Sequence, residues 1–160
     1  MDWYDAASIY YKRTWPHDGR LSVLTAEWQR ELVALMLVDR EIGNGAFLQF
    51  FVNHGREVYE YARRALKVIG ANRMAEIVVT CQTLIDEHSP TAGLSSAERE
   101  QLLPNKIIGR IGRTRKQAGS VLPDSVLDRI SELSYEFMDY PDPVGDLAQV
   151  YYGPLIEADK

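Results

Sequence analysis

Apolar residues return every three or four positions along almost the whole of this chain, and no stretch alternates apolar with polar. The clearest case is Val58, Tyr61, Ala62, Ala65, Leu66 and Ile69, with Glu60, Arg63, Arg64 and Lys67 on the other side. A helix of about 3.6 residues per turn turns that spacing into an apolar stripe facing a charged one, whereas a strand needs period two. Each stripe must be buried against another element, and with helices alone the solution is helix packed on helix.

Local signals divide the pattern. Asp5–Arg13 reads as an aromatic helix and Pro16-His17-Asp18-Gly19 as a turn. Thr25 is placed to cap a helix reaching Ile42, with Trp28, Leu32, Leu35, Met36 and Ile42 on one face. Gly43-Asn44-Gly45 breaks it, and a short helix from Phe47 to Val52 closes at Asn53-His54-Gly55. Gly70 ends the helix after that. Met74, Ile77, Val78, Cys81, Leu84 and Ile85 mark the next one, before a loop at Ser89–Gly93. Ser95 with Glu98 makes a capping box, Pro104 interrupts, and Gly109, Gly112 and Gly119 weaken the basic segment as a helix. Pro123 suits a first turn ahead of Val126, Ile130, Leu133 and Phe137; a last helix spans Asp142–Ile156, ending near Gly153-Pro154. The expectation is an all-α fold, a single compact domain over residues 1–160 with about seven or eight helices.

Composition narrows the chemistry. With one cysteine among 160 residues, Cys81, there is no intrachain disulfide and no multi-cysteine zinc site, and its place on an apolar stripe reads as a buried thiol. His17, His54 and His88 share no helical ligand spacing, and His54 is expected to bond locally in its turn. No P-loop, Rossmann glycine pattern or nucleophile elbow is present. These observations predict a protein that is not an enzyme, with no catalytic residues, metal or cofactor. Met1-Asp2-Trp3-Tyr4-Asp5 lacks the basic start of a secretory signal, and the longest uncharged run, Ile42–Gly55, falls short of the ~20 residues that span a bilayer. A cytoplasmic location away from membranes is expected.

Charge is unevenly spread. The net charge is −5, but residues 1–117 carry +2 and residues 118–160 carry −7. Lys106, Arg110, Arg113, Arg115 and Lys116 form a basic cluster just before the acidic C-terminal region, about 120–158. In that region Asp124, Asp128, Glu132 and Glu136 step by four, with Asp139 three residues on. On a helix all five fall within an arc of about 120°, opposite the apolar stripe, and Tyr135 shares the arc. Like charges at this spacing cost a helix a few tenths of a kcal/mol per pair. Successive carboxylates rise about 6 Å along the axis, comparable with neighbouring phosphates on a DNA strand, where the rise is ~3.4 Å plus rotation. Such a row suits the basic groove of a DNA-binding protein.

Glu41-Ile42-Gly43-Asn44-Gly45-Ala46-Phe47-Leu48-Gln49-Phe50-Phe51-Val52-Asn53-His54-Gly55 and, downstream, Ala65-Leu66 with Ile69-Gly70-Ala71 resemble the motifs of a bacterial all-helical domain family of unknown function, whose best-studied member is described as a DNA mimic. The similarity covers about residues 24–85, and Ala46 stands where the family usually has a second glycine. The resemblance implies an all-α fold, no catalysis and a homodimer. Asn44, Gly45, Phe47, Gln49, Phe50, Asn53, Gly55 and Gly70 read as structural: Gly45 for a tight helix–helix turn, Phe47, Phe50 and Phe51 for core, Asn53 for a cap or turn.

The expected function is a non-enzymatic protein-interaction module, in its specific form a DNA mimic. It would bind a basic partner, a DNA-binding protein or transcription factor, through Asp124, Asp128, Glu132, Tyr135, Glu136 and Asp139. One alternative is an inhibitor or immunity-type protein that recognises its target by shape. Another is direct nucleic-acid binding through residues 106–116, which the net negative charge disfavours.

Overall fold

The computed structural model describes residues 1–54, 56–88 and 122–159. They form six α-helices and no strand: α1 (Trp3–Thr14), α2 (Glu27–Asn53), α3 (Arg56–Val68), α4 (Asn72–His88), α5 (Asp124–Met138) and α6 (Val144–Ala158). Short 3-10 turns at Trp15–His17 and Leu21–Val23 link α1 to α2. The class is the all-α one expected; the helix number among the described residues is six rather than seven or eight. Helix α2 comprises two helical stretches, residues 27–44 and 47–53, that meet at a kink at Gly45 and Ala46, so the expected break and the short helix after it are both present. The capping box at Ser95 and the basic cluster Lys106–Lys116 lie outside the described residues, as does Gly55.

Helix α2 is the centre of the molecule, with α1, α3 and α5 all packed on it; α4 closes against α3 and α5, and α6 lies on α1. Leu32, Val33, Ala34, Leu35, Met36, Leu37 and Val38 are all buried, so this stretch is covered on every side rather than on the single face expected. Three neighbouring helices leave it no solvent side.

Helix ends show which signals were used. Asp2 caps α1, its Oδ1 accepting the Tyr4 N–H at 2.8 Å, which starts the helix two residues before Asp5. At α2 the N-cap is Ala26, not Thr25; its N–H is taken by Gln29 Oε1 at 3.2 Å. Gly70 (φ +86°) ends α3 in a Schellman arrangement, with Ala71 N–H on the Leu66 carbonyl and Gly70 N–H on that of Lys67. The start of α4 is capped from far along the chain: Asp142 Oδ2 accepts the Met74 N–H at 2.8 Å. Helix α6 begins at Val144 and runs through Gly153-Pro154 to Ala158. Pro154 removes the bond to the Val150 carbonyl, but Val150 is 77% exposed, so water is at hand to replace it.

Candidate protein-interaction face

Helix α5 divides cleanly. Val126, Leu127, Ile130, Leu133 and Phe137 are buried between α2 and α4, and Phe137 meets Phe47 edge-to-face at 5.3 Å. On the opposite side Asp124, Asp128, Glu132, Tyr135 and Asp139 are exposed. Tyr135, at 69% exposure, is among the most exposed large side chains of the molecule. Glu136 departs from the row. It is only half-exposed and forms an ion pair with Arg73 of α4, which also reaches Glu76. Glu132 has Arg129 one turn back at 2.9 Å.

Other acids of the C-terminal region serve the fold. Asp142 caps α4. Asp159 Oδ2 accepts from the Tyr10 hydroxyl at 2.6 Å and from Gln29 Nε2 at 3.2 Å. Burial and the neighbouring Asp159 push the Tyr10 hydroxyl up to about 12, so it stays a donor at neutral pH. Glu157 Oε1 accepts from the Met1 amine at 3.1 Å. The charge excess that the sequence displays as one block is therefore partly taken up in helix caps and ion pairs, and the exposed row on α5 is a subset of it.

The motif residues converge on a different place. After Asn44 the α2 backbone leaves helical geometry: Gly45 is at φ −166°, ψ 23° and Ala46 at φ +65°, ψ −179°. The break falls two residues beyond the expected start at Gly43, and helix resumes at Phe47. A Cβ at Gly45 would meet the side chain of Gln49, which would have to shift from its bond to Glu41. Ala46 occupies a region that is essentially reserved for glycine. The Phe47 N–H, freed by the break, donates to Ser134 Oγ of α5 at 3.1 Å, and that hydroxyl donates to the Ile130 carbonyl at 2.7 Å. Phe47, Phe50 and Phe51 are buried.

Across the break sits Glu41, 7% exposed. Asn53 Nδ2 donates to it at 2.7 Å, Gln49 Nε2 at 3.1 Å and Arg40 Nη2 at 3.2 Å. Asn53 therefore uses its side chain to hold Glu41 rather than to cap or turn the chain. Burial pushes the Glu41 carboxyl up, but the Asn53 and Gln49 amides, His54 and Arg40 outweigh it and hold the carboxyl below its ordinary range. His54 is half-buried against Phe50, with Nε2 3.7 Å from Glu41 and no hydrogen bond at that nitrogen. Burial pushes its imidazole down, and the attraction of Glu41 does not fully offset this. Asn44 is exposed at the bend. This cluster stitches the two halves of α2 together.

A family model for DMP19-like proteins matches residues 24–152. The chain belongs to the DMP19-like family. The match extends the resemblance carried by the Glu41–Gly55 motif across α5 and into α6. No curated protein and no solved structure matches the chain. Within this DMP19-like fold Cys81 is fully buried, and burial drives its thiol well above the usual range, which leaves it inert. Among the described residues no three His, Cys, Asp or Glu side chains gather as metal ligands, and no helix is long and apolar enough to cross a membrane.

Sequence reasoning missed the convergence on Glu41 and the link through Ser134. A signal for the first was present: Glu41, Gly45, Gln49 and Asn53 step by four, a polar row with one glycine in it. Ser134 gave none, since a serine inside a helix looks like any other until the chain it bonds is in place. Two further acids, Glu31 buried and Asp39 half-buried, were equally silent. Glu31 lies 3.4 Å from the Tyr152 hydroxyl and Asp39 2.9 Å from that of Tyr140. Burial raises the pKa of both carboxyls against the opposing pull of those hydroxyls.

Proposed function

We propose that this DMP19-like protein is a non-catalytic interaction module that holds a basic protein, specifically a DNA-binding protein, on the outer face of α5. The observation that carries the proposal is the exposed row Asp124, Asp128 and Glu132 on a helix whose other face is locked between α2 and α4. A row on a helix fixed in this way presents carboxylates about 6 Å apart along the axis with no backbone ordering to be done on binding. Tyr135 supplies contact area beside it. Glu136, held by Arg73, and Glu132, paired with Arg129, contribute less charge to such a contact than their spacing suggests.

The buried cluster of α2 has a supporting part in this scheme. Phe47, positioned by the break, meets Phe137, and its N–H is held by Ser134, so the motif sets where α5 sits. The family signature then acts on the face through the fold and makes no contact with the partner.

The test is capture from host lysate with wild type beside an Asp124→Lys, Asp128→Lys, Glu132→Lys variant, the captured protein being identified by mass spectrometry. A DNA-binding protein held by wild type, lost by the variant, released by moderate salt and displaced by duplex DNA supports mimicry. Exposed charges are screened over about 8–10 Å at 0.1–0.15 M salt, so release must be steep. A partner kept equally by both forms removes α5 from the mechanism.

A further inference from the structure

Helix α6 is apolar on two sides. Val144, Ala148, Tyr152 and Ile156 are buried toward the body of the protein. Leu147, Val150, Tyr151, Pro154 and Leu155 follow the same three-and-four spacing on the outer side. There Leu147 is half-buried, and Val150, Tyr151, Pro154 and Leu155 are exposed, Val150 to 77%. A helix with apolar residues on two sides is ordinarily covered on both, yet among the described residues α6 packs chiefly on α1. Single exposed apolar residues need no explanation, but a continuous row on one helix marks a contact surface.

We infer that this outer row of α6 is the apolar anchor for a basic amphipathic helix of the partner. The inference rests on the proposed basic partner and adds a second contact to it. Charge chooses the occupant. Residues 122–159 hold nine acids and one arginine, and no Lys or Arg lies between Val144 and Ala158. Asp146 is exposed one turn before Val150, along the edge of the row. A second copy of this chain would bring the same acidic border against itself, whereas a helix with lysines or arginines flanking its apolar stripe gains on both counts. The row from Leu147 to Leu155 runs about 12 Å, the reach of one helix seated by anchors at i, i+3, i+4 and i+7. Burial of Val150, Tyr151 and Leu155 contributes affinity that salt does not screen, so binding retains a high-salt floor that a purely electrostatic face lacks.

The probe is a helical peptide of leucine and lysine with every leucine on one face, beside a scrambled peptide of the same composition, and the readout is fluorescence anisotropy at low and high salt. Wild type is expected to bind the amphipathic peptide at least about tenfold more tightly than the scrambled one. The Val150→Asp, Tyr151→Asp variant is expected to lose about tenfold and its high-salt floor, although it adds two negative charges that would strengthen a contact made by charge alone. Equal or tighter binding by that variant overturns the inference, as does equal binding of the scrambled peptide. So does a wild-type dimer in sedimentation that the variant dissociates, which would put a second copy on the row. Helical circular dichroism checks the variant's fold, and Val150→Ser gives a milder version with the same expected direction. The α5 lysine variant is measured in parallel. Unchanged peptide binding by that variant leaves the α6 anchor standing, while mimicry through α5 stands or falls on the lysate capture; unchanged binding by the α6 variant removes the anchor.

Discussion

Glu41 and Asp124 are both carboxylates on long helices, and their surroundings are opposite. Glu41 is buried at the break of α2 and receives hydrogen bonds from Asn53, Gln49 and Arg40. Asp124 opens α5 on its exposed side, with Asp128 and Glu132 after it. The first acid is part of a motif specific enough to mark a family, the second part of a row that any solvated helix can carry. Yet the motif's carboxylate and phenylalanines are consumed inside the fold, and it is the plainer row that faces outward. A polar group taken out of water is tolerated only when its partners are in place, so a buried polar motif is a statement about stability. An exposed row of like charge destabilises its own helix slightly and needs another reason to exist.

If that contrast is right, the largest effect belongs to Glu41. Glu41→Ala leaves the Gln49 and Asn53 amides and the Arg40 guanidinium without their acceptor, and is expected to cost about 3 kcal/mol in urea unfolding. A loss below about 0.5 kcal/mol, the level of an ordinary surface change, would break the comparison. Next comes Ser134→Ala, which strands the buried Phe47 N–H; about 2 kcal/mol is expected, with Ser134→Thr recovering part of it.

A gain is expected at Ala46. Its φ of +65° with ψ near 180° lies where a side chain is strained by about 1–3 kcal/mol. Ala46→Gly removes the strain and gives back roughly 1 kcal/mol as unfolded-chain entropy. A net stabilisation of about 1 kcal/mol is expected, read as a higher denaturation midpoint at unchanged slope. Destabilisation by Ala46→Gly would mean that the break is not held in this conformation.

Acid should weaken the α2 cluster in two stages. His54 has a folded pKa below its ordinary 6.5, so the unfolded chain takes up the proton first, and stability present above pH 6.5 falls as pH drops below it. Glu41, also lowered, adds a second decline below about its ordinary 4.5. Glu31 and Asp39 have raised values and work the other way, favouring the folded state at low pH. Replacing His54 with Gln is expected to flatten the slope just below pH 6.5 and leave that below 4.5 in place; an unchanged profile would show that the imidazole is not sequestered. The smallest effect is reserved for the outer face. Asp124→Lys should change stability by no more than about 0.5 kcal/mol, while its contribution to partner binding disappears.

The sequence determined the helices and where most of them end. Spacing alone fixes the inner face of α5, because Val126, Ile130, Leu133 and Phe137 leave no other side to bury. Gly70 stops α3 because its residue type suits a positive φ. Such features are local, and a single sequence holds them in full. What required the tertiary structure is everything set by meetings between distant residues. Thr25 gave up the cap to Ala26 with Gln29, whose amide is shared with Asp159 from the far end of the chain. Glu136 looked like one more charge in a row until Arg73 was brought beside it from α4. Helix α6 was expected to stop near Gly153-Pro154, but it runs on to Ala158 and leaves Val150, Tyr151 and Leu155 exposed on its outer side. Periodicity reports that a face is apolar or charged; only the arrangement of neighbours decides whether that face is covered, paired or left for a partner.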